Sequence, residues 1–399
     1  MPAWNTKLQK YVQEGKLVVI GIAQEQHPDR TRLFVQWHRI DWPILHDPIN
    51  VMQVRGVPIE VAIDEEGIVR SIRPKLETFE AEFLNKTFET GVAEPPTKPG
   101  KTTKSDVAAL RRRAEQTGSS DAWRDLGDAL VLWAEPEKIN DAIDAYMQAI
   151  KIKPDDGDAY FRLGVCYRMR YDSPQQKPAD FQMAVDCWTK ARQIEPNQYI
   201  WRRRIEQYGP QLTKPYPFYD WVETAAKEIK ARGEESVQLK VLPTSSEIAA
   251  PERNFETGQR RVEPPDPNGR IARDTQNLIL TEVTVVPPQV KPGETVRVHV
   301  TLRPNESRKA HWNNEAEPLK LWIEPPAGWQ VKPQLLIAPQ GEMPETTETR
   351  RFEFEVRIPP DAAGTGKLTA YALYYACEDV SGTCQFLRQD IAVTVKIDQ

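Results

Sequence analysis

A repeated spacing of bulky, small and proline residues constrains the fold of this chain more than any other feature. The first copy runs through Trp123, Leu126, Gly127, Leu130, Ala142, Tyr146, Ala149 and Pro154, and the second through Tyr160, Leu163, Gly164, Tyr167, Ala184, Trp188, Ala191 and Pro196. Apolar residues three and four positions apart line one face of a helix, and small residues let paired helices approach closely. The middle of the chain is therefore predicted to be a stack of helix pairs.

This repeat resembles the tetratricopeptide (TPR) family, whose unit is a pair of helices. Both copies are longer than the family unit, with extra residues near Pro136 and over 173–178, where we expect longer loops between helices. The flanking segments SDVAALRRRAEQT, QYIWRRRIEQY and PFYDWVETAAKEIKARG are expected to complete the stack, because at least three repeats are normally needed for stability. The resemblance implies packing roles for Trp123, Gly127, Tyr160 and Gly164.

Proline is abundant and clustered, which indicates several modules joined by stiff tethers. The chain has 34 prolines against 20 glycines, and its 39% hydrophobic content is low for one core. Two proline-bearing stretches, VAEPPTKPGKTTK and PERNFETGQRRVEPPDPNGR, have no apolar period. The predicted organisation is an α/β module at 1–91, a linker at 92–104, helical repeats with a capping helix at 105–232, a linker at 233–276 and a β-sandwich at 277–399.

The first module alternates strand-like and helix-like patterns, which is typical of an α/β domain. We predict a buried strand in LVVIGIA, a helix from Pro28, a short strand in WPIL and a closing helix in LETFEAEFL. PIEVAI and GIVRSI form a hairpin around the turn DEEG.

Gly56, Val57 and Pro58 precede this hairpin, where a proline calls for a structural reason such as a cis peptide bond. These residues resemble the cis-proline loop of the thioredoxin fold, particularly that of the TlpA-like thiol-disulfide oxidoreductases. The resemblance runs over about residues 2–88. It implies that Val57 and Pro58 would lie beside a redox C-x-x-C motif. No cysteine precedes Cys166, so the motif is missing.

Two explanations fit a thioredoxin-like module without its cysteines. Met1 is an internal methionine or a misassigned start, with the redox motif and an export signal encoded upstream. Alternatively, the module is a redox-inactive relative retained for structure or binding. A missing first strand would expose a sheet edge, which favours truncation. Without thiolates the module as given cannot exchange disulfides. The apolar run Leu17–Ala23 is too short to span a bilayer.

The last module contains stretches with the two-residue period of half-buried strands, separated by turns rich in proline and glycine. We predict strands at 278–286, 295–302, 319–323, 351–358, 367–377 and 391–397. A β-sandwich is the expected arrangement.

Cys377 and Cys384 flank the turn-forming segment EDVSGT, so a hairpin would place the two sulfurs opposite each other. These residues, with AHWNNEAEPLKLWIEPPAGW, resemble the N-terminal periplasmic domain of the disulfide-interchange protein DsbD, which has an immunoglobulin-like fold. That family passes electrons from a thioredoxin-like partner to periplasmic acceptors. Here His311 and Trp312 are in swapped order, and QFL follows the second cysteine where the family has aromatic residues or proline. A catalytic pair, a structural disulfide and a reduced inert pair all remain open for Cys377 and Cys384.

The other candidate residues carry weaker signals. Cys166 and Cys187 lie within predicted helices and are interpreted as core residues. The five histidines show no ligand spacing, so no metal and no cofactor are predicted. The basic triplets Arg111–Arg113 and Arg202–Arg204 are interpreted as solvated helix faces. Alternatively they line a peptide-binding groove, for which Arg202, Arg203 and Arg204 are the candidates.

Together these patterns predict an extracytoplasmic, periplasmic thiol-disulfide interchange protein, although the chain as given carries no export signal. Its candidate enzyme class is thiol-disulfide oxidoreductase, and its expected partners are a thioredoxin-like redox protein and a client protein or peptide. The net charge of −5 argues against nucleic-acid binding. A membrane partner stays open, but no transmembrane segment is predicted. The alternative is a non-catalytic TPR scaffold whose outer modules are redox-silent.

Overall fold

The computed structural model describes residues 1–88, 106–133, 136–212, 217–249, 263–379 and 383–398. Its helices are α1 (Pro2–Gln13), α2 (Pro28–His38), α3 (Val107–Thr117), α4 (Ser120–Trp133), α5 (Ile139–Ile152), α6 (Gly157–Tyr171), α7 (Asp180–Ile194), α8 (Tyr199–Glu206) and α9 (Val222–Ala231). Short 3₁₀ turns occupy Pro136–Lys138, Ser245–Glu247 and Glu306–Arg308, and the predicted closing helix of the first module is a π-helical turn at Glu80–Leu84.

The short strands of the first module are β1 (Gly21–Ala23), β2 (Ile44–His46), β3 (Val61–Ile63) and β4 (Val69–Ile72). The strands of the β-rich C-terminal region are β5 (Ile279–Val286), β6 (Gln289–Val290), β7 (Thr295–Pro304), β8 (Ala310–Asn313), β9 (Lys320–Glu324), β10 (Gln330–Lys332), β11 (Leu335–Ile337), β12 (Glu345–Thr346), β13 (Arg350–Arg357), β14 (Gly364–Glu378) and β15 (Thr383–Ile397).

The chain forms two compact units, and three of the five borders between them run through helices, whereas the border after Leu242 lies within the predicted 233–276 linker. Unit 1 comprises Met1–Met169, Lys190–Arg203 and Trp221–Leu242. Unit 2 comprises Arg170–Thr189, Arg204–Asp220 and Pro243–Gln399. Helices α6, α7 and α8 therefore contribute residues to both units.

The N-terminal part of unit 1 contains two small sheets. β1 and β2 are parallel, and β3 and β4 form the predicted antiparallel hairpin. Leu8 and Tyr11 of α1 pack with Ala62 of β3 in one apolar cluster. The prediction of a buried strand in LVVIGIA is wrong, because only Gly21–Ala23 pairs with a neighbour and the Ile22 side chain is exposed. The strand is short because β2 offers it only three paired positions.

Helix α2 packs against α9 within unit 1. The rings of Trp37 and Trp221 stack with centroids 5.6 Å apart, and Leu33 is buried in the same cluster as Ala225 and Ile229. The Trp37 Nε1 donates a hydrogen bond to Glu228 at 2.7 Å. The capping helix predicted at the end of the repeats is therefore packed against the N-terminal region.

The predicted linkers differ from free tethers where the structure describes them. The Val237 and Lys240 N–H groups donate to the side chains of Gln36 and Asp29 in unit 1, at 3.0 and 2.6 Å. In unit 2 the Asp266 N–H donates to the hydroxyl of Tyr371 at 3.1 Å. Both ends of the predicted 233–276 linker thus pack on folded elements. The predicted linker at 92–104 lies outside the described residues.

The repeat region is a stack of helices, as the spacing predicts. α3 packs on α4 and α4 packs on α5 within unit 1. Gly127 and Gly164 are buried, and the side chains of Trp123 and Tyr160 are half-buried. A Cβ atom on Gly127 would lie 2.6 Å from Cε1 of Tyr146, so the small residue allows α4 and α5 to approach.

Replacing Gly127 by alanine is expected to lower the free energy of unfolding of the stack by about 1–3 kcal/mol. The Tyr146 ring is fully buried and donates a 2.7 Å hydrogen bond to Asp128, so it cannot move aside easily. The better helix propensity of alanine offsets about 1 kcal/mol at most. Urea denaturation followed by circular dichroism measures the loss. The control is Gly56→Ala, whose new methyl group meets open space and should leave the midpoint unchanged.

The C-terminal region consists of two sheets around one apolar core. One has the strand order β10-β13-β7-β5, and the other has the order β11-β9-β14-β15-β6, with β8 pairing to β14. Alternate residues of β14 from Leu368 to Ala376 face the core. β15 is as long as β14, whereas a shorter strand was expected, because Leu387 and the alternate residues from Ile391 continue the apolar face.

The outer face of the four-stranded sheet in unit 2 is covered by helical segments of the same unit. The hydroxyl groups of Tyr171 and Thr301 are 2.6 Å apart. The His299 Nε2 lies 2.8 Å from the carbonyl oxygen of Tyr208, and the Phe181 ring packs edge-on against His299 at 5.1 Å. Polar side chains of β7 are therefore buried rather than solvated.

Candidate functional site

Cys377 and Cys384 form a disulfide between β14 and β15. The two residues are directly opposite in the antiparallel register, with Cα atoms 4.0 Å apart. Cys377 is 3% exposed, whereas Cys384 is an exposed residue. The bond therefore presents its Cys384 end to solvent. A redox role for the pair stays a prediction.

The disulfide lies on the face of the sheet that points away from the apolar core. Cross-strand partners in an antiparallel sheet share a face, and residues two positions along a strand return to it. Tyr375 and Phe386, the next pair on this face, stack with ring centroids 4.5 Å apart. Phe386 is 37% exposed, so an apolar surface adjoins the disulfide.

His311 of β8 is the other cross-strand neighbour of Cys377. Its Nδ1 lies 3.4 Å from the Asp379 carboxylate and its Nε2 lies 3.6 Å from Glu345, and the side chain is 13% exposed. In the sequence, His311 stands out only as half of a swapped Trp-His pair. Strand alternation explains the order, because Trp312 enters the core, where its Nε1 donates to the Glu348 carbonyl oxygen at 2.8 Å.

The Val57–Pro58 peptide bond is cis, and both residues are exposed. They belong to unit 1, whereas Cys377 and Cys384 belong to unit 2. A role of this loop in redox chemistry stays a prediction.

The basic triplet of α8 contains one buried and two half-buried residues. The Arg204 side chain is 3% exposed, and its guanidinium lies 6.0 Å from the ring centroid of Trp188. Arg202 and Arg203 are half-buried and keep some accessible surface. A peptide-binding role for the triplet stays a prediction, and Arg204 is the least accessible of its members.

A polar cavity of 330 Å³ lies in unit 1, where no sequence pattern predicted a site. Its lining includes Arg124, Lys153, Asp156 and Glu195. The guanidinium of Arg124, in α4, pairs at 2.7 Å with the carboxylate of Asp156, which directly precedes α6. The cavity therefore offers charges of both signs.

The remaining cysteines are not poised for chemistry. Cys166 is fully buried, and burial raises the pKa of the Cys187 thiol to about 12. Cys166 therefore fits the interpretation as a core residue, whereas Cys187 is half-buried. The raised pKa keeps Cys187 in the thiol form, and the thiolate is the reactive form. Among the residues that the structure describes, no group of three or more His, Cys, Asp or Glu side chains is arranged to hold a metal ion.

Comparison with known proteins supports the repeat region. Residues 135–169 match the TPR repeat family. TPR repeats stack into extended surfaces that bind other proteins, so the chain contains a protein-interaction module. No curated protein matches the chain. Within the described ranges, no helix is both long and apolar enough to cross a membrane.

Several solved structures resemble parts of the chain weakly. They include AvmM, which catalyses macrocyclisation in alchivemycin A biosynthesis, with 11% identity over 32% of this chain and 95% of that chain and a TM-score of 0.21. The Bacillus subtilis sporulation control protein Spo0M has 13% identity over 31% and 50% and a TM-score of 0.16. The Escherichia coli fimbrial subunit AggA has 12% identity over 32% and 98% and a TM-score of 0.18. At these TM-scores the likenesses carry no argument.

Proposed function

We propose that this chain is an extracytoplasmic thiol-disulfide interchange protein whose TPR module binds a client. The observation that carries the proposal is the asymmetric disulfide, with an exposed Cys384 and a shielded Cys377. A bond that is accessible from one end can be attacked there by a partner thiolate. A disulfide buried at both ends would be protected from exchange.

The exchange conserves electrons in two steps. A thiolate of a partner dithiol attacks Sγ of Cys384, a new S–S bond forms, and the Cys377–Cys384 bond breaks. The bonding electron pair leaves on Cys377, whose thiolate takes up a proton. The second partner thiolate then attacks the partner sulfur of the mixed disulfide and releases Cys384. The partner is oxidised to a disulfide, and this chain is reduced by two electrons.

The proposed partner is a thioredoxin-like protein, and the proposed compartment is the periplasm. Disulfides persist in oxidising compartments, which supports an extracytoplasmic location. The first 165 residues contain no cysteine, Cys166 is fully buried and the pKa of the Cys187 thiol is raised, so we propose that the attacking thiolate comes from the partner. The exposed Phe386 beside Cys384 supplies apolar surface against which such a partner could dock.

A redox-silent TPR scaffold is the second candidate function. The match of residues 135–169 to the TPR family favours it, because protein binding needs no thiol chemistry. In that case the Cys377–Cys384 bond only stabilises the hairpin, and its short closed loop contributes about 2 kcal/mol.

The reduction potential of Cys377–Cys384 distinguishes the two functions. The interchange function predicts a reduction potential above about −300 mV. Structural disulfides typically have reduction potentials below that value and therefore resist reduction. Equilibration of the full chain with dithiothreitol redox buffers, followed by alkylation and mass determination, measures it. The Cys377→Ser/Cys384→Ser double variant gives the baseline for Cys166 and Cys187. A potential below that limit would leave the scaffold as the function.

A further inference from the structure

The edge of β15 that faces away from β14 carries main-chain groups beside the disulfide. At Arg388 both groups are used, because its N–H donates to the carbonyl oxygen of Ala272 at 2.8 Å and its carbonyl oxygen accepts from the N–H of Asp274 at 3.0 Å. Main-chain groups of a strand point to the same side at every second residue. The ladder of β14 and β15 is continuous over this stretch, so the N–H and C=O groups of Phe386 and Cys384 also point away from β14.

The distance across the disulfide agrees with this orientation. The Cα atoms of Cys377 and Cys384 are 4.0 Å apart, nearer to the roughly 4.5 Å of a non-hydrogen-bonded pair than to the roughly 5.5 Å of a hydrogen-bonded pair. In a non-hydrogen-bonded pair the main-chain groups of both residues point outward. Within the described part of the chain, no group accepts from or donates to the outward N–H and C=O of Cys384 or Phe386. Unpaired edge groups of this kind are a template for another strand.

The same edge already holds one extended segment of this chain. Residues 272–274 lie parallel to β15, with Arg273 bridged to Arg388. Immediately before them, Ile271 packs with Tyr371 and Leu373 on the outer face of the sheet, so the segment turns onto that face. It does not pair with Phe386 or the residues before it. A second extended segment would therefore continue an existing strand pairing toward the disulfide.

The direction of the S–S bond favours approach from this edge. Thiol-disulfide exchange passes through a mixed disulfide, and in displacement at sulfur the entering and leaving atoms lie on opposite sides of the sulfur attacked. When Cys384 carries the mixed disulfide, Cys377 lies on the β14 side of its sulfur. The third sulfur therefore lies on the other side, at the unpaired edge, where Cys384 is exposed.

A strand added at this edge would bring a suitable side chain to Cys384. Directly opposite residues in a hydrogen-bonded antiparallel pair have Cα atoms about 5.5 Å apart, which lies within the range of about 4.4–6.8 Å that disulfides span. Side chains two positions apart share a face, so the next one lies opposite Phe386. Phe386 is 37% exposed and stacks on Tyr375. An apolar side chain fits against these rings.

We propose that the client binds by adding an extended segment to this edge of β15, with a cysteine opposite Cys384 and an apolar residue two positions away opposite Phe386. This inference rests on the proposed exchange function. In the reduced chain the Cys384 thiolate attacks the client disulfide, a Cys384–client S–S bond forms, and the second client sulfur leaves as a thiolate and takes up a proton. The Cys377 thiolate then attacks Sγ of Cys384, re-forms the Cys377–Cys384 bond and releases the first client sulfur. The client gains two electrons and this chain loses them.

The experiment traps the mixed disulfide on the full-length Cys377→Ser variant. The probe is acetyl-Leu-Thr-Cys-Thr-Leu-amide, which places an apolar residue two positions from its cysteine in either strand direction. One control peptide is N-methylated on its cysteine and leucines, and another on both threonines. The three peptides and glutathione compete for Cys384, and intact mass counts each mixed disulfide. The Cys377→Ser/Cys384→Ser variant gives the baseline for the other two cysteines.

The expected result follows from the alternation of main-chain donors along an extended segment. Only one of the two sets of peptide N–H groups faces β15, so one methylated peptide should compete as well as the parent. The other should compete about tenfold less well, as the loss of about two main-chain hydrogen bonds predicts. Which peptide loses shows whether the added strand is parallel or antiparallel to β15.

A matched pair of variants tests the protein side in the Cys377→Ser background. Phe386→Ala removes the ring and keeps the outward N–H, whereas Phe386→Pro removes both, and an edge strand tolerates proline where the N–H faces solvent. The parent peptide should compete against glutathione about fivefold less well on the proline variant than on the alanine variant, because one hydrogen bond is lost. Ala392→Pro removes an outward N–H farther along the same edge and should change nothing. If Phe386→Pro fails to fold by circular dichroism, the peptide comparison carries the test.

The outcomes separate the inference from the function on which it rests. If dithiothreitol does not reduce wild-type Cys377–Cys384, the proposed function fails. If it does and the three peptides compete equally, or both methylated peptides lose equally, strand addition is overturned and exchange stands. A dimer of the wild type that Phe386→Pro dissociates would assign the edge to a second copy of this chain and would also overturn the inference.

Discussion

Replacing Arg162 by alanine is expected to lower the free energy of unfolding of the helical stack by about 3–5 kcal/mol. The Arg162 side chain is 2% exposed, and its guanidinium pairs with the Asp128 carboxylate at 2.7 Å. Asp128 also accepts a 2.7 Å hydrogen bond from the hydroxyl of Tyr146. Burial already raises the pKa of the Asp128 carboxyl, and removing Arg162 takes away the larger of the two positive charges that oppose this effect, leaving the weaker influence of Arg124.

Hydrogen exchange of peptides from α4 and α6 measures this loss locally, so unfolding of other parts does not obscure it. The control is Arg113→Ala, which removes an exposed pair with Asp125 between α3 and α4 and should cost less than about 1 kcal/mol. The double variant Arg162→Ala/Asp128→Ala removes both partners of the buried pair. Its loss of unfolding free energy should therefore be smaller than the sum of the losses in the two single variants. Equal losses for Arg162→Ala and Arg113→Ala would contradict the assignment.

In unit 2, replacing Arg297 by alanine is also expected to cost about 3–5 kcal/mol. Arg297 is 1% exposed and donates to the carboxylates of Glu353 at 3.0 Å and Glu355 at 3.1 Å. Without the guanidinium, two carboxylates on adjacent positions of one face would be left beneath the covering helical segments. Hydrogen exchange of the backbone amides in β7 and β13 measures this loss of stability. Arg273→Ala, which breaks a half-exposed pair with Asp390, is the matched control.

The same cluster predicts acid sensitivity. Burial alone would raise the pKa of Glu353, but the charges of His299 and Arg297 outweigh it and hold the pKa well below 4.5. The unfolded state therefore binds a proton near pH 4.5 that the folded state does not. Stability from this group is present above that pH and is lost as the pH falls. In urea denaturation, Glu353→Gln should show a weaker dependence on pH below 4.5 than the wild type. An unchanged dependence would contradict the prediction.

The repeat and the hairpin were accessible from sequence because their signals are local. The offsets from Trp123 to Pro154 recur in the next copy, and the TPR match at 135–169 confirms a repeat there. The turn-forming residues between Cys377 and Cys384 predicted that the two flanking strands form a hairpin, and the disulfide joins these strands. Resemblance to the thioredoxin and DsbD families found no support in the comparisons, so those assignments stay proposals.

Other features escaped sequence reasoning because they depend on register between distant segments. His311 and Cys377 are 66 positions apart by number, and only the pairing of β8 with β14 brings them together. The cavity lined by Arg124 and Glu195 depends likewise on how helices stack. The segment LVVIGIA shows the opposite case. Its apolar composition predicted a buried strand, but only Gly21–Ala23 forms a strand there.

The spacing of apolar residues and the placement of turn-forming residues act over short segments. They determined the helix pairs around Gly127 and the hairpin that carries Cys377 and Cys384. Tertiary packing decided which end of that disulfide faces water and which histidine lies beside it. It also turned Arg162 and Arg297, two unremarkable charges in the sequence, into buried ion pairs. The reason is that burial and opposite charge are properties of neighbours in space, and a linear pattern does not specify them.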